Sequence, residues 1–285
     1  MFDLIYRFDA NNRIDLGAPV NPAAALKRLE LGNIEFARLL ADISTGTSGE
    51  RVVRFDPEDI GISPESGLAP WQEPFAAVLG CADARVPVEM IFGQASNDLF
   101  VVRVAGNVLG AECLGSLDYA ITHLGKSLKL IVVLGHTGCG AVTAATDAFL
   151  NPSQYLRVAS SHPLRAVVDR IFMAVRSAST GLKAVFGADV ESEPGYRAAL
   201  IETAIALNAA ITAATVREEF RGRLGGDRIV VYGVYNLVSG RVKVALEPDT
   251  GVAIRLAEPP SESEGFDRLS VLLAGSSMVR ETLRG

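Results

Sequence analysis

Cysteine is scarce in this chain: three residues in 285, alongside a single Trp, three His and an aromatic content of only 7%. Three thiols cannot make a disulfide framework for a chain this long, so they are expected to be free, in a reducing compartment such as the cytoplasm. Basic residues are short as well. The 27 Lys and Arg against 33 Asp and Glu give a net charge of -6, which argues against a nucleic-acid or anionic-membrane partner. No run approaches the roughly 18 uninterrupted apolar residues of a membrane span. The opening segment, Met1-Phe2-Asp3-Leu4-Ile5, lacks the basic region and apolar core of a signal peptide. Internal repeats and low-complexity tracts are missing too. What is present is a 49% hydrophobic chain, enough for a sizeable core.

The pattern along the chain predicts an α/β fold. Residues 1–20 read as an extended arm. Asn21 and Pro22 then open a helix through about residue 41, with Asn as cap and Pro at the first position, and with Leu26, Leu29, Ile34, Phe36 and Leu40 as its apolar face. Residues 43–70, rich in Ser, Gly, Pro and charge, read as a loop. Two short apolar runs follow, residues 75–80 and 128–135, the second rich in β-branched side chains; each reads as a buried strand. A helix is expected over 112–124, and apolar residues at helical spacing predict two more over 163–179 and 195–220. The Gly-rich stretch 221–227 ends the last of these. A hairpin over 229–246, turning at Ser239-Gly240, is expected to close the sheet edge. Beyond Glu258 the chain reads as a polar linker with a short amphipathic helix over 266–283. The fold class expected is thus a mostly parallel central sheet with flanking helices, an N-terminal helical arm and an antiparallel edge hairpin. Three parts are expected: 1–70, 71–257 and 258–285.

The chemistry lies just after the two buried runs. Cys81-Ala82-Asp83-Ala84-Arg85 follows the first, and Gly135-His136-Thr137-Gly138-Cys139-Gly140 follows the second. In a parallel α/β sheet the carboxyl ends of neighbouring strands meet in one crevice. Cys81, His136 and Cys139 can therefore converge despite their separation in sequence. Two thiolates and an imidazole suit Zn²⁺, whose fourth position takes a carboxylate, a water or a substrate. Asp83 is the natural occupant or neighbour of that position. A lone Cys or His at a strand end is ordinarily core or surface; the whole set together, with an Arg beside the Asp, is not so explained. Cys113 then reads as a buried thiol. Gly135, Gly138 and Gly140 do not fit the dinucleotide-binding spacing. Cys81 and Arg85 do not make a thiol-phosphatase loop either, because Asp83 between them would repel the phosphate.

These blocks resemble the β-class carbonic anhydrases. The likeness runs in order through Cys81-Ala82-Asp83-Ala84-Arg85-Val86-Pro87, the stretch from Asp98 to Asn107, Asp118-Tyr119-Ala120-Ile121, and the stretch from Gly135 to Ala141. It covers roughly residues 72–146, with a weaker echo over 229–242. Ala84 stands where the family usually has Ser, and Asp118 where it usually has Glu. The resemblance implies reversible hydration of CO₂ to bicarbonate and a proton, with Zn²⁺ as cofactor and Asp83 with Arg85 as the catalytic dyad. Zinc lowers the pKa of a bound water toward neutrality, and Arg85 keeps Asp83 ionised and off the metal. Without that hold Asp83 would ligate zinc and close the site. Some family members switch this way, with a Trp at the position of Val78; Gln72 instead matches members whose site stays open, so an open site is expected.

The resemblance also implies a substrate pocket lined by Gln72, Phe100, Ala105, Tyr119 and Gly138. His123, one turn beyond Tyr119, is a candidate proton relay because an imidazole titrates near neutrality. Arg103 and Asn107 are expected to fix the loop after the second strand. Packing of the family's N-terminal helix across a partner implies a homodimer or a higher homo-oligomer. Two alternatives share the site: hydrolysis of carbonyl sulfide or carbon disulfide, and a closed, non-catalytic zinc module that binds a partner.

Overall fold

Five strands make the central sheet in the computed structural model, in the order β4-β3-β5-β6-β7. The structure describes residues 2–9, 17–46, 49–62, 67–246 and 253–284. In β3 (Ala76–Gly80) and β5 (Leu130–His136) every residue is buried. Burial on both faces is why these strands read as continuous apolar runs rather than alternating ones. They pair in parallel, Gly80 opposite Leu134. On their flanks lie β4 (Leu99–Arg103), parallel to β3, and β6 (Ile229–Tyr235), parallel to β5.

Chain order decides where a crevice opens. From β3 the chain passes through α2 (Val88–Phe92) to β4 on one side, whereas from β5 it leaves for β6 on the other. The β3–β5 boundary is therefore the topological switch point, and the crevice lies beyond the carboxyl ends of these two strands. Cys81 is the residue after β3, and His136 is the last of β5.

Helices cover both faces. On one, α1 (Pro22–Ser44) and α2 bury Leu29, Phe36, Ile91 and Phe92 against Val78, Val132 and Leu134. Asn21 caps α1 as its sequence predicts, its Oδ1 accepting from the Ala24 N–H at 2.9 Å. On the other lie α3 (Ala111–His123), α4 (Gly140–Leu150), α6 (His162–Phe186) and α7 (Tyr196–Glu219), with the short α5 (Pro152–Ala159) between α4 and α6. Among the described residues, α7 alone has the length and hydropathy to cross a membrane; here 78% of its most apolar stretch is buried inside the protein.

Three expectations need correction. Residues 2–7 are not merely an arm, nor 49–54 a loop: β1 (Phe2–Arg7) and β2 (Gly49–Arg54) pair in parallel as a separate two-stranded sheet. The charged residues within these runs hide their β-forming Ile5, Tyr6, Val52 and Val53. The edge hairpin is shorter than 229–246. Its second strand is the short β7 (Val242–Lys243), antiparallel to β6, which also bridges Ala257 at Tyr232, while β8 (Ala245–Leu246) pairs with β9 (Ala253–Ile254). Finally, the C-terminal stretch holds two helices, α8 (Ser263–Ala274) and α9 (Ser277–Arg284), broken at Gly275. Leu269, Leu273, Val279 and Leu283 are buried in the α6–α7 core. Contact is close enough that a Cβ on Gly181 of α6 would stand 2.7 Å from the Ser270 carbonyl oxygen.

Candidate metal centre

Cys81, His136 and Cys139 meet at the switch point. All three are buried, and their ligating atoms lie within 4.8 Å of one another. The two Sγ atoms are 4.0 Å apart with no disulfide between them. Two thiolates about 2.3 Å from one tetrahedral Zn²⁺ would stand roughly 3.8 Å apart, so this spacing fits the ion. The donor set agrees. His136 Nδ1 faces the Thr137 carbonyl oxygen at 3.0 Å, where it must carry the proton, leaving the Nε2 lone pair turned inward. That Nε2 is buried and finds no hydrogen-bond partner among the described residues.

The electrostatics describe a cluster that wants a cation. A hydrogen bond from Cys139, partly offset by burial, holds the Cys81 thiol far below its usual range; that same contact, with burial, pushes Cys139 up. Two buried sulphurs so close cannot both ionise unaided. Burial opposes charge on His136, but the Cys81 sulphur outweighs it and the net shift is upward. A divalent ion would take the place of these protons.

Local structure holds the loops. The Gly106 N–H donates to Cys81 Sγ at 3.3 Å. Arg103 donates from Nε to the Cys81 carbonyl oxygen at 3.0 Å and from Nη2 to that of Asp83, so it fixes the first motif from the end of β4. Thr137 ties the second motif to β6, its N–H donating to the Tyr235 carbonyl oxygen and its Oγ1 accepting from the Leu237 N–H, both at 3.0 Å. Gly138 turns the ligand loop at φ +64°.

Asp83 stands at the mouth. Arg85 donates from Nε to its Oδ1 at 3.0 Å and from Nη2 to its Oδ2 at 2.7 Å, and the Arg85 backbone N–H adds a third bond at 2.9 Å. The side-chain bond from Arg85 is the main reason the Asp83 carboxyl lies well below the usual carboxylate range. Its Oδ2 is 3.9 Å from His136 Nε2.

The pocket residues divide. Ala105 and Gly138 lie at the centre, one beside the Gly106 amide and the other between two ligands. Phe100 stands instead opposite Ala77, four residues before Cys81 and so about 13 Å down the strand. Tyr119 packs on Phe100, with centroids 6.3 Å apart, and His123 on Tyr119 at 4.8 Å. Gln72, exposed, precedes β3 at that same amino end. Within one chain these four stand apart from the cluster. Val78 is fully buried under α1 and α2.

An α/β protein with a Cys-His-Cys group able to hold a metal at the switch point of its sheet is the class that fold and centre define. Residues 76–242 match the family model described as carbonic anhydrase, and the chain belongs to the β-class carbonic anhydrase family. It is 34% identical over 230 residues to a carbonic anhydrase of Mycolicibacterium smegmatis, covering 79% of this chain and 93% of that one. Carbonic anhydrase 2 of Mycobacterium tuberculosis is 42% identical over 142 residues, 48% of this chain and 60% of the relative. The chain thus spans less than two thirds of that relative. A solved Coccomyxa β-carbonic anhydrase in complex with acetazolamide is 22% identical at a TM-score of 0.48, covering 78% of this chain and 90% of that one.

Proposed function

We propose that this protein catalyses the reversible hydration of CO₂ to bicarbonate and a proton, with Zn²⁺ held by Cys81, His136 and Cys139. Family membership supports the reaction class. The single observation that carries the reading is the grip of Arg85 on both oxygens of Asp83, 3.9 Å from the buried His136 Nε2. A purely structural four-ligand site would have no use for a cation competing for its carboxylate.

Zinc, when bound, supplies the positive charge that lowers the pKa of a coordinated water. The chain's own residues do the rest. Cys81 and Cys139 neutralise the ion's formal charge, and burial keeps bulk water from competing. Asp83, held ionised by Arg85, accepts a hydrogen bond from the attacking oxygen and so aims a lone pair at the CO₂ carbon. Arg85 also keeps Asp83 from becoming the fourth ligand, which supports an open site.

A homodimer completes the reading. Gln72, Phe100, Tyr119 and His123 serve no site in their own chain, and Leu68 and Trp71 beside Gln72 are 75% and 87% exposed. A second copy would bury this apolar surface and receive these residues as pocket walls, with His123 as a proton relay near its mouth. Asp83→Asn tests the chemistry. Zinc content is expected to stay at that of the wild type while CO₂ hydration falls about a hundredfold or more; an active, zinc-loaded variant would overturn the dyad.

A further inference from the structure

The ligand loops are held from behind by a helix that carries none of the motif residues. Gly106 donates to Cys81 Sγ from a left-handed backbone, φ +67°, followed by Asn107 at φ +45°. Two successive residues in that region persist only where their surroundings over-determine them. A Cβ on Gly106 would stand 3.0 Å from both Ala141 and Ile171, so the turn is pressed tightly against α4 and α6. Its carbonyl oxygen accepts from Asn208 Nδ2 of α7 at 2.8 Å, a bond spanning 102 positions in sequence, and Asn208 is only 3% exposed.

Glu202 lies on α7 six residues earlier, about 120° round the helix axis from Asn208. Its carboxylate faces the backbone of Gly138, between His136 and Cys139, which favours its ionised form. Its Oε2 is buried without a hydrogen-bond partner among the described residues. At Ile205 and Ala209 α7 presses on the sheet, with the Ala209 Cβ and the Ile205 carbonyl oxygen 3.4 and 3.5 Å from where a Cβ on Gly135 would stand. Burial and the Gly138 contact pull the Glu202 pKa in opposite directions, and burial prevails. A buried Asn and a Glu whose Oε2 is buried are costly in the packed middle of this helix. Each is aimed at one of the two ligand loops.

We propose that Asn208 and Glu202 are positioning residues for the metal centre: α7 clamps both loops, Asn208 setting the amide that hydrogen-bonds the Cys81 sulphur and Glu202 the turn between His136 and Cys139. This rests on the assignment of Cys81, His136 and Cys139 as metal ligands. An N–H···S bond withdraws charge from a thiolate, so loss of Asn208 changes both how tightly the sulphur binds the metal and how strongly it donates to it.

The test is chelator competition for Zn²⁺, together with the thiolate-to-metal charge-transfer band of the Co²⁺-loaded protein. Asn208→Ala is expected to weaken Zn²⁺ binding about tenfold to a hundredfold and to shift the cobalt band. Asn208→Ser, whose hydroxyl falls short of Gly106, must do the same, which guards against an alanine variant that fails to fold. Glu202→Ala is expected to weaken binding as well. Glu202→Gln is expected to restore it, since its amide oxygen still faces the Gly138 backbone. Thr203→Val, on the same helix but bonded only to the Ala199 carbonyl oxygen within it, serves as the control for lost stability. Wild-type affinity and an unmoved band in Asn208→Ser would overturn the proposal, as would an equal loss in Thr203→Val. Failure of the wild-type protein itself to bind either ion would instead overturn the ligand assignment.

Discussion

The two ends of the β3–β5 sheet differ in what they finish. At the carboxyl end the chemical groups gather inside one chain: thiol with thiol, Asp83 with Arg85, Cys81 with the Gly106 amide. At the amino end a ladder of Phe100, Tyr119 and His123 stacks in order yet leaves Tyr119 46% exposed and His123 at the surface. The first end has reactive groups without apolar walls for a small linear substrate, and the second has walls without reactive groups. In the proposed reading one chain carries the reactive groups and half a pocket.

That contrast can be broken at either end. The largest effect is expected at the carboxyl end. Cys81→Ser removes a soft ligand, and zinc affinity should fall by well over the roughly hundredfold that loss of an outer hydrogen-bonding partner costs, as read by metal analysis after dialysis. Retention of one zinc per chain would mean that the cluster does not hold the ion. A smaller effect belongs to the amino end. Tyr119→Ala loses ring contacts worth about 0.5–1.5 kcal/mol, so KM for CO₂ should rise roughly twofold to tenfold with zinc content unchanged, and the proposed dimer should weaken in sedimentation. An unchanged KM in a protein that sediments as a monomer would return the ladder to ordinary surface packing.

Much of the carboxyl end was legible in the sequence because its signals are local. A short apolar run rich in β-branched residues such as 128–135 reads as a strand buried on both faces, and ligands placed directly after two such runs are expected to meet. Asp83 and Arg85 are two residues apart, so their pairing needed no knowledge of the fold. What escaped depends on long-range packing. The β1–β2 sheet joins segments some 45 residues apart through charged, half-apolar runs with no buried face to announce them. The break between α8 and α9 follows from how each helix seats on α6 and α7. Asn208 and Glu202 lay within a stretch read only as core, since α7 is buried almost all round and its periodicity says nothing of direction. A signal was present nonetheless. An amide buried without a partner costs roughly 1–3 kcal/mol, so an Asn in the middle of an apolar helix implies a specific acceptor. The positions of Gln72, Phe100 and Tyr119 relative to the cluster could not be read from spacing, because they depend on strand direction.

Stopped-flow CO₂ hydration on protein of known zinc content, from about pH 6.5 to about pH 9, tests the central claim most directly. Asp83 is held well below the usual carboxylate range by Arg85, so across this window it stays charged and paired, and in the proposed reading it is that pairing which keeps it off the metal. The account predicts turnover throughout, with any decline toward acid pH following protonation of the nucleophile rather than loss of the Asp83 charge. Silence at every pH with one zinc bound per chain would contradict it.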